Sequence, residues 1–365
     1  MKALIYTLLK YLNYSFVLAL LLSYLSVYVS PEKIWVLAFF GLAYPFLLII
    51  NFGFIVFWIY KKRKTFLIPL IAILLGWTYL ASYIQIPLKK QNTNTEIVKN
   101  KFNILSFNVR LFDLYNWNEG DNTSGEIFDF INANEFDFIC FQEFFTKNKG
   151  ELSKRSILKR LNKEYSTHIV FTYEGDNYNY GIATFSKYPI INRGVINFSK
   201  SSNSSIFTDV IINKDTVRIF NNHLQSIRFN KKNYSFITNS KVLKDDEKLK
   251  EIKDISYRLR DAFIKRASQA RILSNHIQNS PFPVIVCGDF NDVPVSYTYR
   301  KMRGELNDSY LEAGKGFGTT YMGKFPSFRI DFIFHSKEIK CVNFDIPNVR
   351  LSDHFPITSE FVLER

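Results

Sequence analysis

Hydrophobic residues follow two different patterns along this 365-residue chain. Up to about residue 87 they are nearly continuous, in runs at 11–29, 34–60 and 65–87. Each run reaches the roughly 20 residues needed to cross the hydrocarbon core of a bilayer. Beyond about residue 100 they break into short blocks rich in Ile, Val and Phe, bounded by turn residues, at 102–107, 136–141, 166–172, 181–186, 205–212, 216–222, 283–288, 330–335 and 340–344. Blocks of this length and composition predict the strands of a buried sheet. Helices are predicted at 124–134, 150–163 and 247–278. In the last of these Ile252, Ile255, Leu259, Phe263, Ala267, Ala270, Leu273 and Ile277 recur at threes and fours, as one buried helical face requires. The chain therefore divides into a membrane domain (1–90), a polar linker (91–100, within LKKQNTNTEIVKN) and a second domain (101–365).

Three full-length apolar runs exceed what a cleaved signal peptide would need, so the expectation is an integral membrane protein with three spans and the lipid bilayer as a partner. Lys2 and Lys10 precede or open the first run, and Lys61, Lys62, Arg63 and Lys64 cluster between the second and third. The positive-inside rule puts both groups in the cytoplasm and the second domain outside it, with Lys89 and Lys90 as the opposing signal. The formal charge of +14 does not by itself indicate a nucleic-acid partner. Residues 1–90 hold nine basic residues against the single acid Glu32, leaving 38 of the 47 basic and 32 of the 33 acidic residues for the rest. That mild surplus suits any anionic substrate. The three cysteines, Cys140, Cys287 and Cys341, show no disulfide or zinc spacing and read as core thiols.

Six polar clusters stand where hydrophobic blocks end: Asn108 in ILSFNVR, Glu143 in FICFQEF, His223 in VRIFNNHLQS, Asp289 and Asn291 in VIVCGDFND, Asp331 in RIDFIF, and Asp353 with His354 in LSDHFP. Ends of neighbouring strands share one rim, so these groups are expected to meet in one cleft. Singly each has an ordinary explanation: Gly, Asp and Asn are common turn formers, and Glu143 alone reads as a surface acid. Together, carboxylates emerging from apolar strands favour a hard divalent cation, and an imidazole moves protons near neutral pH. The chemistry this set suits is metal-assisted attack on a phosphoester. His168, His276 and His335 lack such company and read as structural or exposed.

The ordered set SFNVR, FQE, NNHLQ, GDFN, RIDFIF and SDHFP resembles the endonuclease/exonuclease/phosphatase superfamily over roughly residues 101–363. This group includes pancreatic-type deoxyribonucleases and neutral sphingomyelinases. The resemblance implies an α+β fold, a four-layer αββα sandwich of two packed mixed sheets flanked by helices; the three transmembrane helices expected before it lie outside the resemblance and rest on the apolar runs alone. It also implies Mg2+, or Mn2+, as cofactor. By motif, Glu143 would be the main metal ligand, with Asn108 and Asp353 beside it. Asp289 would orient or deprotonate water, Asn291 would grip a phosphate oxygen, and His354 would be the catalytic imidazole oriented by Asp331. His223 would bind phosphate or protonate the leaving oxygen.

GIATFSKYP at 181–189 and GKGFGTTYMGKFPSFRID at 314–331 also resemble the family. They offer Tyr180, Lys187, Lys324 and Arg329 as groups that could steer or bind an anionic substrate, although exposed basic residues are usually only solvated. The long polar stretch 225–250 follows His223 and reads either as a lid or as a solvated insertion. The expected function is a membrane-anchored, metal-dependent phosphodiesterase or phosphatase acting on nucleic acid or a phospholipid head group. The alternative is an inactive membrane-tethered binding module of the same fold. No feature points to a protein partner.

Overall fold

The computed structural model describes residues 2–86, 101–115, 122–161, 165–199, 201, 203–230, 232–233, 235–236, 245–323 and 328–363. The whole of the proposed linker, together with Lys89, Lys90 and Lys324, lies outside these. The N-terminal helices are α1 (Lys2–Ser26), α2 (Val36–Leu42), α3 (Tyr44–Tyr60), α4 (Leu67–Leu75) and α5 (Trp77–Ala81). The expectation of three spans needs correction. Among the described residues only α1 is long and apolar enough alone, at 25 residues or roughly 37 Å. The second run is broken: α2 and α3 meet at a 63° bend, where Pro45 in the first turn of α3 cannot continue a helix from α2. The third run is also interrupted, at Gly76, and Lys64–Leu75 is too short to span.

These helices pack around an apolar core that includes Leu20, Leu47, Leu48, Ile55 and Ile73, bury a few polar residues and expose many apolar ones. Asn13 and Asn51 are wholly buried, whereas Leu8, Ile49, Val56 and Leu75 are more than half exposed. Trp58 Nε1 donates to Asn13 Oδ1 (3.1 Å) and Asn51 Nδ2 to the Phe16 carbonyl (3.2 Å), which sets α1 and α3 antiparallel. Tyr24 reaches the Ala72 carbonyl on α4. Consequently Lys61–Lys64 lie at the same end as Lys10, while Ser26, Gly41 and Tyr83 lie at the other, against the second domain. Contact there is close: a Cβ on Gly41 would stand 2.3 Å from the Val295 carbonyl oxygen, so only glycine fits.

The second domain contains β2 (Lys101–Asn108), α6 (Thr123–Asn134), β3 (Phe138–Lys147), α7 (Lys154–Arg160), β4 (Ser166–Glu174), β5 (Tyr178–Ser186), β6 (Ile190–Asn197), β7 (Ser204–Ile212), β8 (Asp215–His223), α8 (Asp245–Gln278), β9 (Val284–Asp289), α9 (Tyr297–Arg303), β10 (Asn307–Asp308), α10 (Ser309–Ala313), β11 (Gly316–Phe317), β12 (Asp331–His335), β13 (Ile339–Asp345) and β14 (Ile357–Leu363). A short strand of the N-terminal part, β1 (Ile84–Gln85), pairs with β11. Two mixed six-stranded sheets form, in the orders β13-β14-β2-β3-β5-β4 and β10-β12-β9-β8-β7-β6. Each holds one parallel pair, β2/β3 or β8/β9, at its centre.

The sheets bury their inner faces against each other through Phe102, Ile104, Phe138, Ile219, Ile285 and Ile357. Outer faces are covered by helices: Ile127, Phe128 and Ile131 of α6 on the first sheet, and Ala270, Leu273 and Ile277 of α8 on the second. Strands buried on both faces show no polar alternation, and all six residues of β9 are buried. The three cysteines are buried and free. The predicted strands are all present. The hydrophobic blocks do not predict β6, β14 or the two-residue β1, β10 and β11, and β14 is internal, pairing with both β13 and β2.

Candidate active site

The parallel pairs end at the same rim, and that rim carries the predicted residues. Asn108 closes β2, His223 closes β8, Asp289 closes β9 and Asp331 opens β12, with Asp331 registered opposite Asp289. Glu143 arrives differently from the expectation that its strand ends before it. The strand β3 runs on to Lys147, and a bulge shifts its register between Phe141 and Phe144. Glu143 there has φ +50°, an uncommon conformation for a non-glycine residue, which re-aims its side chain into the cleft. Gly288 has φ +132°, and a Cβ there would meet the Asn222 carbonyl oxygen at 2.0 Å, so glycine allows β8 and β9 to close up below His223 and Asp289.

At the centre, His354 Nδ1 lies 2.9 Å from Asp331 Oδ2, and Asp331 is itself oriented by its backbone N–H donating to Thr320 Oγ1. His354 Nε2 then faces Asp289 Oδ2 at 3.8 Å. Asp289 accepts from Asn108 Nδ2 (3.0 Å), Asn291 Nδ2 (2.9 Å) and the Asn291 backbone N–H (2.8 Å). Asn291 adopts φ +53° to make both contacts. His223 Nε2 stands 3.8 Å from both Glu143 Oε1 and Asp289 Oδ2 and is buried without a hydrogen-bond partner.

Asp353 sits at the outer side, 3.4 Å from Arg110 Nε. Arg110 begins a turn in which four successive residues, Arg110 to Asp113, have positive φ. Such a run is disfavoured for L-residues and is held by Phe112, packed on Phe128, Phe141 and Phe144, and by the Arg110 N–H donating to Asn108 Oδ1. A cavity of about 320 Å³ opens over these groups.

The charges are unbalanced. Burial pushes the Asp289 carboxyl up to about 6, opposed by His354 and His223 and reinforced by Asp331. Burial and then Asp353 raise Glu143. His354 goes well above the ordinary histidine range: burial alone would lower it, but Asp331 and Asp289 outweigh that. Burial lowers His223. Four carboxylates facing one imidazolium and Arg110 make a site that a divalent cation would relieve, and hard oxygen donors suit such an ion.

Among the described residues Asp289, Asp331 and His354 have ligand atoms within 4.8 Å of one another. Asp331 and His354 already satisfy each other, whereas Glu143 and Asp353 retain exposed carboxylate surface. Glu143 and Asp353 are therefore the carboxylates of the cleft with surface left to meet a cation.

Arg329 is a correction. It is 1% exposed, pairs with Asp308 (2.6 Å), donates to the Ser82 carbonyl (3.2 Å) and stacks over Tyr310, so it fastens the N-terminal part rather than entering the cleft. Lys187 binds the Glu135 carbonyl and Asp137, and Tyr180 stacks on Tyr173. His168 and His335 are buried structural residues, the latter 3.0 Å from Glu312.

Sequence reasoning missed Gln142 and Asn221, joined at 2.7 Å across the sheets beneath the site, and Tyr321, whose ring stands edge-on to His354. Polar residues inside the apolar runs FICFQE and RIFNN were the available signal for the first two. Of the stretch 225–250, residues 226–229 line the cavity, and much of the remainder lies outside the described residues.

Residues 105–354 match the Endonuclease/Exonuclease/phosphatase family, and the chain belongs to that family. Residues 5–83 match a domain of unknown function, DUF8431. An endonuclease/exonuclease/phosphatase from Beutenbergia cavernae DSM 12333 superposes with a TM-score of 0.51 at 15% identity, over 73% of this chain and 72% of that one. The human Nocturnin catalytic domain with bound sulfate gives 0.50 at 19% identity over 72% and 94%. A humanized D. rerio TDP2 gives 0.51 at 15% identity over 72% and 98%. At these identities the likeness establishes the fold. No curated protein matches the chain.

Proposed function

We propose that this protein is a membrane-anchored, divalent-metal-dependent phosphoester hydrolase using Mg2+ or Mn2+, with a catalytic domain at 101–365 joined by residues 91–100 to a membrane domain at 1–90. The observation that carries this is the Asp331–His354–Asp289 contact series, with Asn108, Glu143, Asn291 and Asp353 around the same cavity and His223 3.8 Å from Glu143 and Asp289. A cation held by Glu143, Asp353 and the Asn108 side-chain oxygen would supply charge neutralisation at the phosphoryl group.

The chain's own residues then divide the proton work. Asp289 takes a proton from the attacking water as its oxygen bonds to phosphorus and the bond to the leaving oxygen breaks. His354, held as imidazolium by Asp331, gives a proton to that leaving oxygen. The 3.8 Å between His354 Nε2 and Asp289 Oδ2 allows the proton to return and reset the pair. His223, whose Nε2 has no hydrogen-bond partner, would donate to a phosphoryl oxygen, and Asn291 would join it by giving up its contact with Asp289 or with the Leu224 carbonyl.

Membrane attachment is supported by the many large apolar residues that α1, α3 and α4 leave exposed. Both basic groups lie at the end away from the catalytic domain, which favours an extracytoplasmic site. Nucleic acid and a phospholipid head group both fit an anionic phosphoester site. Parallel assays of the full-length protein in detergent, with metal or chelator, on plasmid DNA, phospholipid vesicles and a soluble phosphomonoester test the reading. Metal-dependent cleavage of one class supports it, and no cleavage of any by folded protein contradicts it.

A further inference from the structure

The catalytic cavity is lined by the catalytic polar groups and, besides the charged Arg228, Arg266 and Asp292, by the apolar Ile227, Leu259, Phe263 and Phe328. Its apolar lining also includes Leu42, which belongs to the N-terminal helices and not to the catalytic domain. Leu42 is the last residue of α2, at the 63° bend, and Phe39 one turn earlier packs edge-on against Phe263 at 5.3 Å. In the same helical segment Ile34, Trp35 and Val36, at the start of α2, and Phe46 and Ile49 on α3 are exposed apolar residues. A sugar phosphate would have to strip water from its hydroxyls against these residues, which a hydrocarbon chain does not.

We propose that Leu42 is a specificity-determining residue: together with Leu259 and Phe263 it seats a hydrocarbon chain attached to the phosphoester, so that the substrate is a lipid phosphoester reaching the cleft from the bilayer beside α2 and α3. This rests on the hydrolase reading above. The tight glycine contact between Gly41 and the Val295 carbonyl oxygen fixes Leu42 relative to the catalytic groups.

The test compares methyl, butyl, octyl and hexadecyl esters of 4-nitrophenyl phosphate, hydrolysed by the full-length protein in one detergent. A synthetic oligonucleotide serves as a further substrate. Wild-type kcat/KM is expected to climb along the series, and Leu42→Gln to lower the hexadecyl-to-methyl ratio by about 10- to 200-fold, the range for one apolar contact in a binding pocket. Equal turnover across the series, or an oligonucleotide hydrolysed faster than the hexadecyl ester, would overturn the proposal and leave the hydrolase standing. No hydrolysis of any substrate would remove the hydrolase reading and this proposal with it. The wild-type series decides the matter even if Leu42→Gln does not fold.

Discussion

His354 Nδ1 and Asp331 Oδ2 stand 2.9 Å apart at the floor of the cleft, with the imidazole's other nitrogen turned towards Asp289. The carboxylate fixes both the orientation of the ring and its proton. Replacing His354 by Ala should lower kcat by about 10²–10⁴-fold, the usual worth of a positioned acid or base. Asp331→Asn should retain the ring but lose its charge, lowering kcat and moving the alkaline limb of the pH–rate profile to lower pH. Steady-state kinetics across pH check both, and unchanged kcat in either variant would exclude the assigned role.

Glu143 is held in the cleft by a bulge and a strained backbone. If its carboxylate is the principal metal ligand, Glu143→Gln should weaken metal activation by more than the about 10–100-fold typical of an outer-shell partner, with the fold intact. Titration of activity with Mg2+ and Mn2+ gives the half-saturation point. Wild-type metal dependence in the variant would move the cation elsewhere, with the Asp289–Asp331–His354 cluster next in line.

Arg329 joins Asp308 in a buried pair and ties Ser82 to the catalytic domain. Arg329→Met strands the Asp308 carboxylate, and breaking such a pair costs about 3–5 kcal/mol. Thermal unfolding should shift down accordingly, while KM of the folded fraction stays at the wild-type value. A raised KM with unchanged stability would return Arg329 to the substrate.

His168 on β4 meets Thr208 Oγ1 on β7 at 2.9 Å, between the two sheets. Burial, with Arg193 adding to it, pulls its pKa down to about 4, below the unfolded value of 6.5. Between those values the unfolded chain binds a proton that the folded one does not. Stability contributed by neutral His168 is therefore full above pH 6.5 and lost progressively as pH falls towards 4. Denaturant unfolding of wild type and His168→Gln should give a shallower acid decline in the variant, and parallel curves would exclude this source.

Strands and cleft residues were legible in the sequence for one reason: a strand buried on both faces is apolar throughout, so a carboxylate or imidazole at its end stands out. The run PVIVC before Gly288, Asp289 and Asn291 is the clearest case, and β9 is buried over its whole length. What was illegible depended on partners distant in sequence. Arg329 looked like a substrate contact because its partners, Asp308 and the Ser82 carbonyl, are 21 and 247 residues away. The strand β14 was hidden because ITSEFVL mixes polar and apolar residues. The second apolar run read as one span because hydropathy does not register the break before Pro45.

Release of 4-nitrophenolate from methyl 4-nitrophenyl phosphate by the chelator-stripped full-length protein, before and after Mg2+ or Mn2+ is restored, bears most directly on the cleft being a metal-dependent phosphoesterase. Activity should be absent without metal, return with it, and fail to return in His354→Ala. Turnover that persists in chelator, that His354→Ala leaves intact, or that metal never restores to folded protein would contradict it.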